Sequence, residues 1–105
     1  MAGSKLVKFY TFAAQHQCLV PSCYNPVELH HVKGGVSLKT RTALPRRNGL
    51  AEALVVPLCA NHHRTSRDSV HELGEVAFEE SHGLPEGFVI AFAASLLAAH
   101  VMGLK

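Results

Sequence analysis

Three cysteines and two histidine doublets, set along a short chain, constrain its fold more than any hydrophobic run does. Cys18-Leu-Val-Pro-Ser-Cys23 comes first, His30-His31 follows, and Leu58-Cys59-Ala60-Asn61-His62-His63-Arg64 closes the set. A closed tetrahedral zinc site takes four Cys or His ligands, typically as two short-spaced pairs that the fold brings together. Cys18 and Cys23 make one pair, on a knuckle whose turn Pro21 fixes. Cys59 and His62 make the other, where a strand ends and a helical turn begins. The blander alternative treats the cysteines as small buried hydrophobes and the histidines as satisfied surface groups. It has to explain three cysteines and both doublets at once, whereas one zinc site takes all three cysteines together with His62.

The chain has 105 residues, 48% of them hydrophobic, and no Trp. It is read as a single domain over residues 1–105, with its core at about 14–84. A domain of this size buries roughly 60 to 70% of its unfolded surface, so its core is thin. A structural zinc, contributing on the order of 10 kcal/mol, would matter here. Three cysteines cannot all pair within one chain, and residues 1–8 carry no signal-peptide pattern, so a cytoplasmic, thiolate-using protein is expected.

With His62 on zinc, His63 points about 100° further round a helix and cannot join the same tetrahedron. On a strand, His30 and His31 point to opposite faces unless the strand is ending or strongly twisted. The following Lys33-Gly34-Gly35 permits that ending.

The pattern around these residues alternates short elements. Leu6, Val7, Phe9, Tyr10, Phe12 and Ala13 give an apolar stripe on a first helix. Residues 27–32 and 54–58 are strand candidates, and the pattern turns helical from about Ala60. Ser69-x-x-Glu72 has the form of a capping box, Gly74 interrupts the helix, and Gly83 suits a left-handed stop after 75–82. Pro85 and Glu86 suit the start of an apolar helix over about 86–102, whose fifteen-residue run from Phe88 to Met102 is short of the roughly 18 to 20 residues that cross a bilayer. No membrane role is expected, and a buried or homodimer-forming helix is.

Charge is segregated. Residues 33–67 hold Lys33, Lys39, Arg41, Arg46, Arg47, Arg64 and Arg67 against Glu52 alone, a net +6, whereas residues 68–105 carry a net −5. Residues 33–49, with Gly34, Gly35, Pro45 and Gly49, are too polar and broken for a packed element. A basic third that is also rich in histidine favours a phosphate backbone as partner, although a basic solvated loop alone would look the same.

Cys-x4-Cys, His-His-Val, Val-Pro-Leu-Cys-x-x-His-His, His-Glu-Leu-Gly and Phe-Glu-Glu-Ser-His-Gly together resemble the HNH endonuclease superfamily. The likeness is to its zinc-containing prophage branch, with the phage recombination-enhancement nucleases and small prophage nucleases, and it spans about residues 6–84. It implies an α+β fold: a small ββα-metal (His-Me finger) core with a structural zinc knuckle and flanking helices. It also implies that His31 is the general base, His30 the strand ligand and His63 the helix ligand of a catalytic cation, Mg or Mn. Zinc would be held by Cys18, Cys23, Cys59 and His62. The family's middle Asn has no match in residues 51–56, where Glu52 is the only polar side chain; Asn48 lies in the loop and Asn61 in the knuckle. A backbone carbonyl is the expected orienter of His31.

The activity so implied is single-metal hydrolysis of DNA phosphodiesters, with the seven basic residues holding phosphates and a recombination or phage protein as a further partner. The alternatives are a zinc-stabilised nucleic-acid-binding module without catalysis, and an adaptor built on the apolar tail. His71 lies one or two turns beyond His63; a ligand or phosphate contact is open there, but a surface position weighs more. His16, His82 and His100 read as structural or solvated.

Overall fold

The computed structural model describes residues 3–32 and 53–103. Lys33, Lys39, Arg41, Arg46, Arg47, Asn48 and Glu52, with the basic stretch as a whole, lie outside the described residues. Helix α1 (Gly3–Ala14) leads into strand β1 (Val27–His31). Strand β2 (Val55–Cys59) is followed by four helical segments: α2 (Asn61–Thr65), α3 (Val70–Leu73), α4 (Glu75–Ser81) and α5 (Phe88–Val101). Helices around a two-stranded sheet make a small α+β fold, as expected.

The two strands pair antiparallel, with Glu28 opposite Leu58, His30 opposite Val56, and His31 opposite Val55. Strand alternation then sorts the side chains. Val56 and Leu58 join Leu19, Val32, Leu54, Val70, Phe78, Val89 and Ala93 in one buried cluster. Val55 joins Phe9, Ala13, Ala53 and Leu96 in a second, with Leu29 packed against it. Every residue of β2 is buried, so its apolar run reflects a strand covered on both sides.

Pro57 sits in the middle of β2 without breaking the ladder. Its carbonyl accepts from Leu19 N–H at 2.8 Å, which puts its backbone polar groups on the outer edge, away from β1. A missing N–H on that edge costs no inter-strand bond. Two residues on, the N–H of Cys59 points to the same edge and donates to Cys18 Sγ at 3.4 Å. The outer edge of β2 is therefore the dock for the knuckle. In the knuckle Cys23 N–H donates to Val20 O, with Pro21 and Ser22 as the central residues and Ser22 at φ 66°. Pro followed by a positive φ is a type II turn, with Ser where Gly or Asn is usual.

Three punctuation residues fall where the pattern put them. Ser69 Oγ accepts from Glu72 N–H to start α3. Gly74, at φ 82°, separates α3 from α4. Gly83, at φ 68°, ends α4 with Leu84 N–H on Glu79 O and Gly83 N–H on Glu80 O, the paired bonds of a Schellman stop. In α5, Val89, Ala93 and Leu96 face the core while Val101 and Met102 are exposed. No helix among the described residues is long and apolar enough to cross a membrane.

Candidate metal centres

Cys18, Cys23, Cys59 and His62 converge, their ligand atoms all within 4.8 Å of one another. Cys23 Sγ is 3.7 Å from Cys59 Sγ, and His62 Nδ1 is 3.6 Å from Cys18 Sγ and 3.2 Å from Cys59 Sγ. Tetrahedral zinc, with bonds of about 2.3 Å to sulfur and 2.0 Å to nitrogen, separates two sulfurs by about 3.8 Å and a sulfur from a nitrogen by about 3.5 Å. These three separations already stand close to those edges. All three cysteines are free thiols, and a disulfide would need sulfurs about 2.05 Å apart.

The thiols are unequal. Burial pushes Cys18 up to about 11, against backbone N–H bonds that favour its thiolate. Burial also opposes ionisation of Cys59, but the backbone N–H groups of His62 and Asn61 and the adjacent thiols hold it below the usual thiol value. His62 is lowered by burial and then by the neighbouring His82. A neutral imidazole beside one primed thiol is a donor set awaiting a soft divalent cation such as zinc.

A second group forms on the other side of α2. His30, His63 and His71 bring ring nitrogens within 4.8 Å of one another, with centroids 5.3 Å apart for His30–His63 and 4.3 Å for His63–His71. The turn that carries His62 and His63 is π-helical, with Ser66 N–H reaching back to Asn61 O. Such turns recur at functional sites. Here the turn sends consecutive histidines to separate centres.

Two carboxylates hold the rings. His30 Nε2 donates to Glu75 Oε2 at 2.8 Å, both side chains being buried. His63 Nδ1 donates to Glu28 Oε1 at 2.6 Å. Arg64 donates to the same Glu28 through Nε at 2.7 Å and through its terminal nitrogen at 3.2 Å. Arg64 first, and His63 second, draw the Glu28 carboxyl down to about 2. A histidine that gives one N–H to a carboxylate keeps the other nitrogen as a donor to metal, here Nδ1 of His30 and Nε2 of His63. Three imidazoles suit Mn or a later transition ion better than Mg, which takes oxygen ligands.

His31 is not brought into this group. Alternation turns it to the α1 side, where Tyr10 Oη lies 2.9 Å from its Nε2 and the two rings meet edge-on at 5.8 Å. Of the three imidazoles expected to converge, His30 and His63 do, and His71, weighed as a surface position, is exposed yet stands with them. Glu28 was legible as a charge two residues before His30, hence on the same strand face; Glu75 gave no local signal. Arg64 and Arg67 are exposed. His16 bonds Phe12 O, His82 bonds Asp68 O, and His100 packs against Phe9 and Phe12, all structural placements.

Compared with protein-family models, curated proteins and solved structures, the chain has no significant match. The functional reading therefore rests on its own residues.

Proposed function

We propose that this chain is a metal-dependent endonuclease domain of the HNH type, hydrolysing phosphodiester bonds of DNA. The observation that carries this reading is the second, open group of imidazoles, His30, His63 and His71, standing beside a complete zinc set. A structural domain has no use for it. The element order is compatible with it: two antiparallel strands and a helical turn carry one candidate ligand on the first strand and one on the turn, as a ββα-metal plan would need.

A divalent cation held there would stabilise the negative charge that builds on phosphorus and on the leaving 3′ oxygen. Glu28 and Glu75 fix the rings so that little reorganisation is needed. Arg64 and Arg67, with the five basic residues of 33–49, hold the backbone phosphates and read no sequence. His31, adjacent to His30 at the strand end and exposed, is the proposed base that takes the proton from water; neutral imidazole suits that at physiological pH. In this role its ring would have to leave Tyr10 and the α1 face of the strand.

The pairing of His31 with Tyr10 favours a second reading, a zinc-stabilised nucleic-acid-binding module. Plasmid nicking in Mg, Mn, Co or Ni separates the two. The nuclease reading expects cleavage by the parent protein and its loss in His63→Ala and His31→Ala, while zinc content and DNA binding persist. Unchanged cutting by His31→Ala removes the base assignment, and DNA binding without cutting in every metal leaves the binding module.

A further inference from the structure

Glu75 is 4% exposed and faces His30, itself 3% exposed, at 2.8 Å. Burying a carboxylate is costly, and a packed apolar residue would fill the same space without that cost. The backbone is bent to bring it there. Gly74, at φ 82°, breaks α3 from α4, so that Glu75 opens a new helix rather than continuing the old one. An added Cβ at Gly74 would meet nothing within 4 Å, so the constraint is conformational: side-chain-bearing residues rarely adopt that φ. His71 stands four residues earlier and belongs to the same imidazole cluster.

We propose that Glu75 is a positioning residue for the cation site, fixing His30 as its Nε2–H tautomer so that Nδ1 is the nitrogen offered to the metal. The inference rests on the cation site of the nuclease reading and adds to it the residue that sets the site's affinity. Without the carboxylate the His30 ring can present either nitrogen, and the tautomer that blocks Nδ1 becomes populated. The donor set is also uncharged when its histidines are neutral. A carboxylate one hydrogen bond away then offsets part of the cation's charge, which makes each imidazole a stronger donor.

The test is cobalt(II) titration of the zinc-loaded protein, followed by calorimetry and by the visible bands of imidazole-bound cobalt, which lack the thiolate charge-transfer signature of zinc-site exchange. Glu75→Ala is expected to weaken cobalt binding about 10- to 100-fold, and Glu75→Gln, which keeps an acceptor oxygen but not the charge, by less. Long-range proton–nitrogen NMR of the metal-free second site should show His30 protonated at Nε2 in the parent protein and mixed in Glu75→Ala. A purely structural Glu75 would leave the cobalt affinity of a folded, zinc-replete variant unchanged. If Glu75→Ala does not fold, the Gln variant and the parent's spectrum decide. Parent-like cobalt affinity in a folded, zinc-replete variant, or an Nδ1-protonated His30 in the parent, overturns the role of Glu75 and leaves the nuclease reading standing. Absence of any second cobalt in the parent overturns both, whereas cobalt bound as expected without cleavage in any metal removes the nuclease reading alone.

Discussion

At the scale of single residues, the zinc donors differ most in how readily they give up a proton. Cys18 is raised to about 11 by burial, so in the metal-free protein it is a thiol at neutral pH, and zinc must displace that proton to bind. Zinc binding to a protonated ligand set is coupled to proton release, and its apparent affinity climbs with pH as long as the donors begin protonated. At pH 7, zinc titration of the metal-free protein is expected to release at least one proton, read as the dependence of the calorimetric heat on buffer ionisation enthalpy. Replacing Cys18 with Ser should remove that proton and weaken zinc by orders of magnitude. A heat independent of buffer would mean that Cys18 is not a ligand. These donors were legible in the sequence because short spacings on a knuckle and a turn tie partner residues locally. The pairing of His31 with Tyr10 was not legible, because it depends on how α1 packs against the sheet, twenty-one residues away in sequence.

Among the elements, α5 begins without a side-chain cap of its own: Gly87 stands at its N-cap position with φ 81°. The capping comes from α4 instead. The buried Glu79 accepts from Gly87 N–H at 2.9 Å through Oε1 and from Val89 N–H at 2.8 Å through Oε2. One carboxylate thereby satisfies two donors at a helix start, and the partial positive charge there favours it. Glu79→Ala leaves the buried Val89 N–H and the part-buried Gly87 N–H without that acceptor and is expected to cost about 2 to 4 kcal/mol, from the charge-assisted bonds lost and the donors left unpaired. Glu79→Gln should cost less, since one acceptor oxygen remains. Urea denaturation of the zinc-loaded protein measures both, and a loss below about 0.5 kcal/mol for Glu79→Ala would show that water caps the helix equally well. Both helices and their boundaries were legible to within a few residues through Gly83, Pro85 and the apolar run of 88–102. It did not reveal that Glu79, one of two adjacent glutamates, points inward. Only the Schellman stop at Gly83, which turns the chain back over α4, brings the start of α5 within its reach.

For the whole molecule, the two centres share the turn α2. Zinc would tie the knuckle of 18–23 to the end of β2 and the turn α2 that follows it, and no disulfide among the described residues joins the knuckle to them. The second centre draws on β1, α2 and α3, and its His63 is the immediate neighbour of His62. Losing zinc therefore releases α2 and takes His63 with it, whereas losing the second cation leaves the zinc set intact. Zinc removal by a strong chelator, or His62→Ala, should abolish cobalt binding at the histidine group and lower the unfolding midpoint sharply. His63→Ala should leave zinc stoichiometry at one per chain and lower the midpoint less than zinc removal does, because it costs one largely buried imidazole and its bond to Glu28 rather than a whole ligand set. Thermal melts and metal analysis of the three proteins test this order. Were chelated protein to keep its melting point and its cobalt site, α2 would be held by packing alone, with Cys59 and Cys18 acting as ordinary buried side chains. The five buried residues of β2 and the cluster around Phe78 make that outcome physically coherent, so the experiment measures how the hydrophobic core and the metal divide the stability of a domain this small.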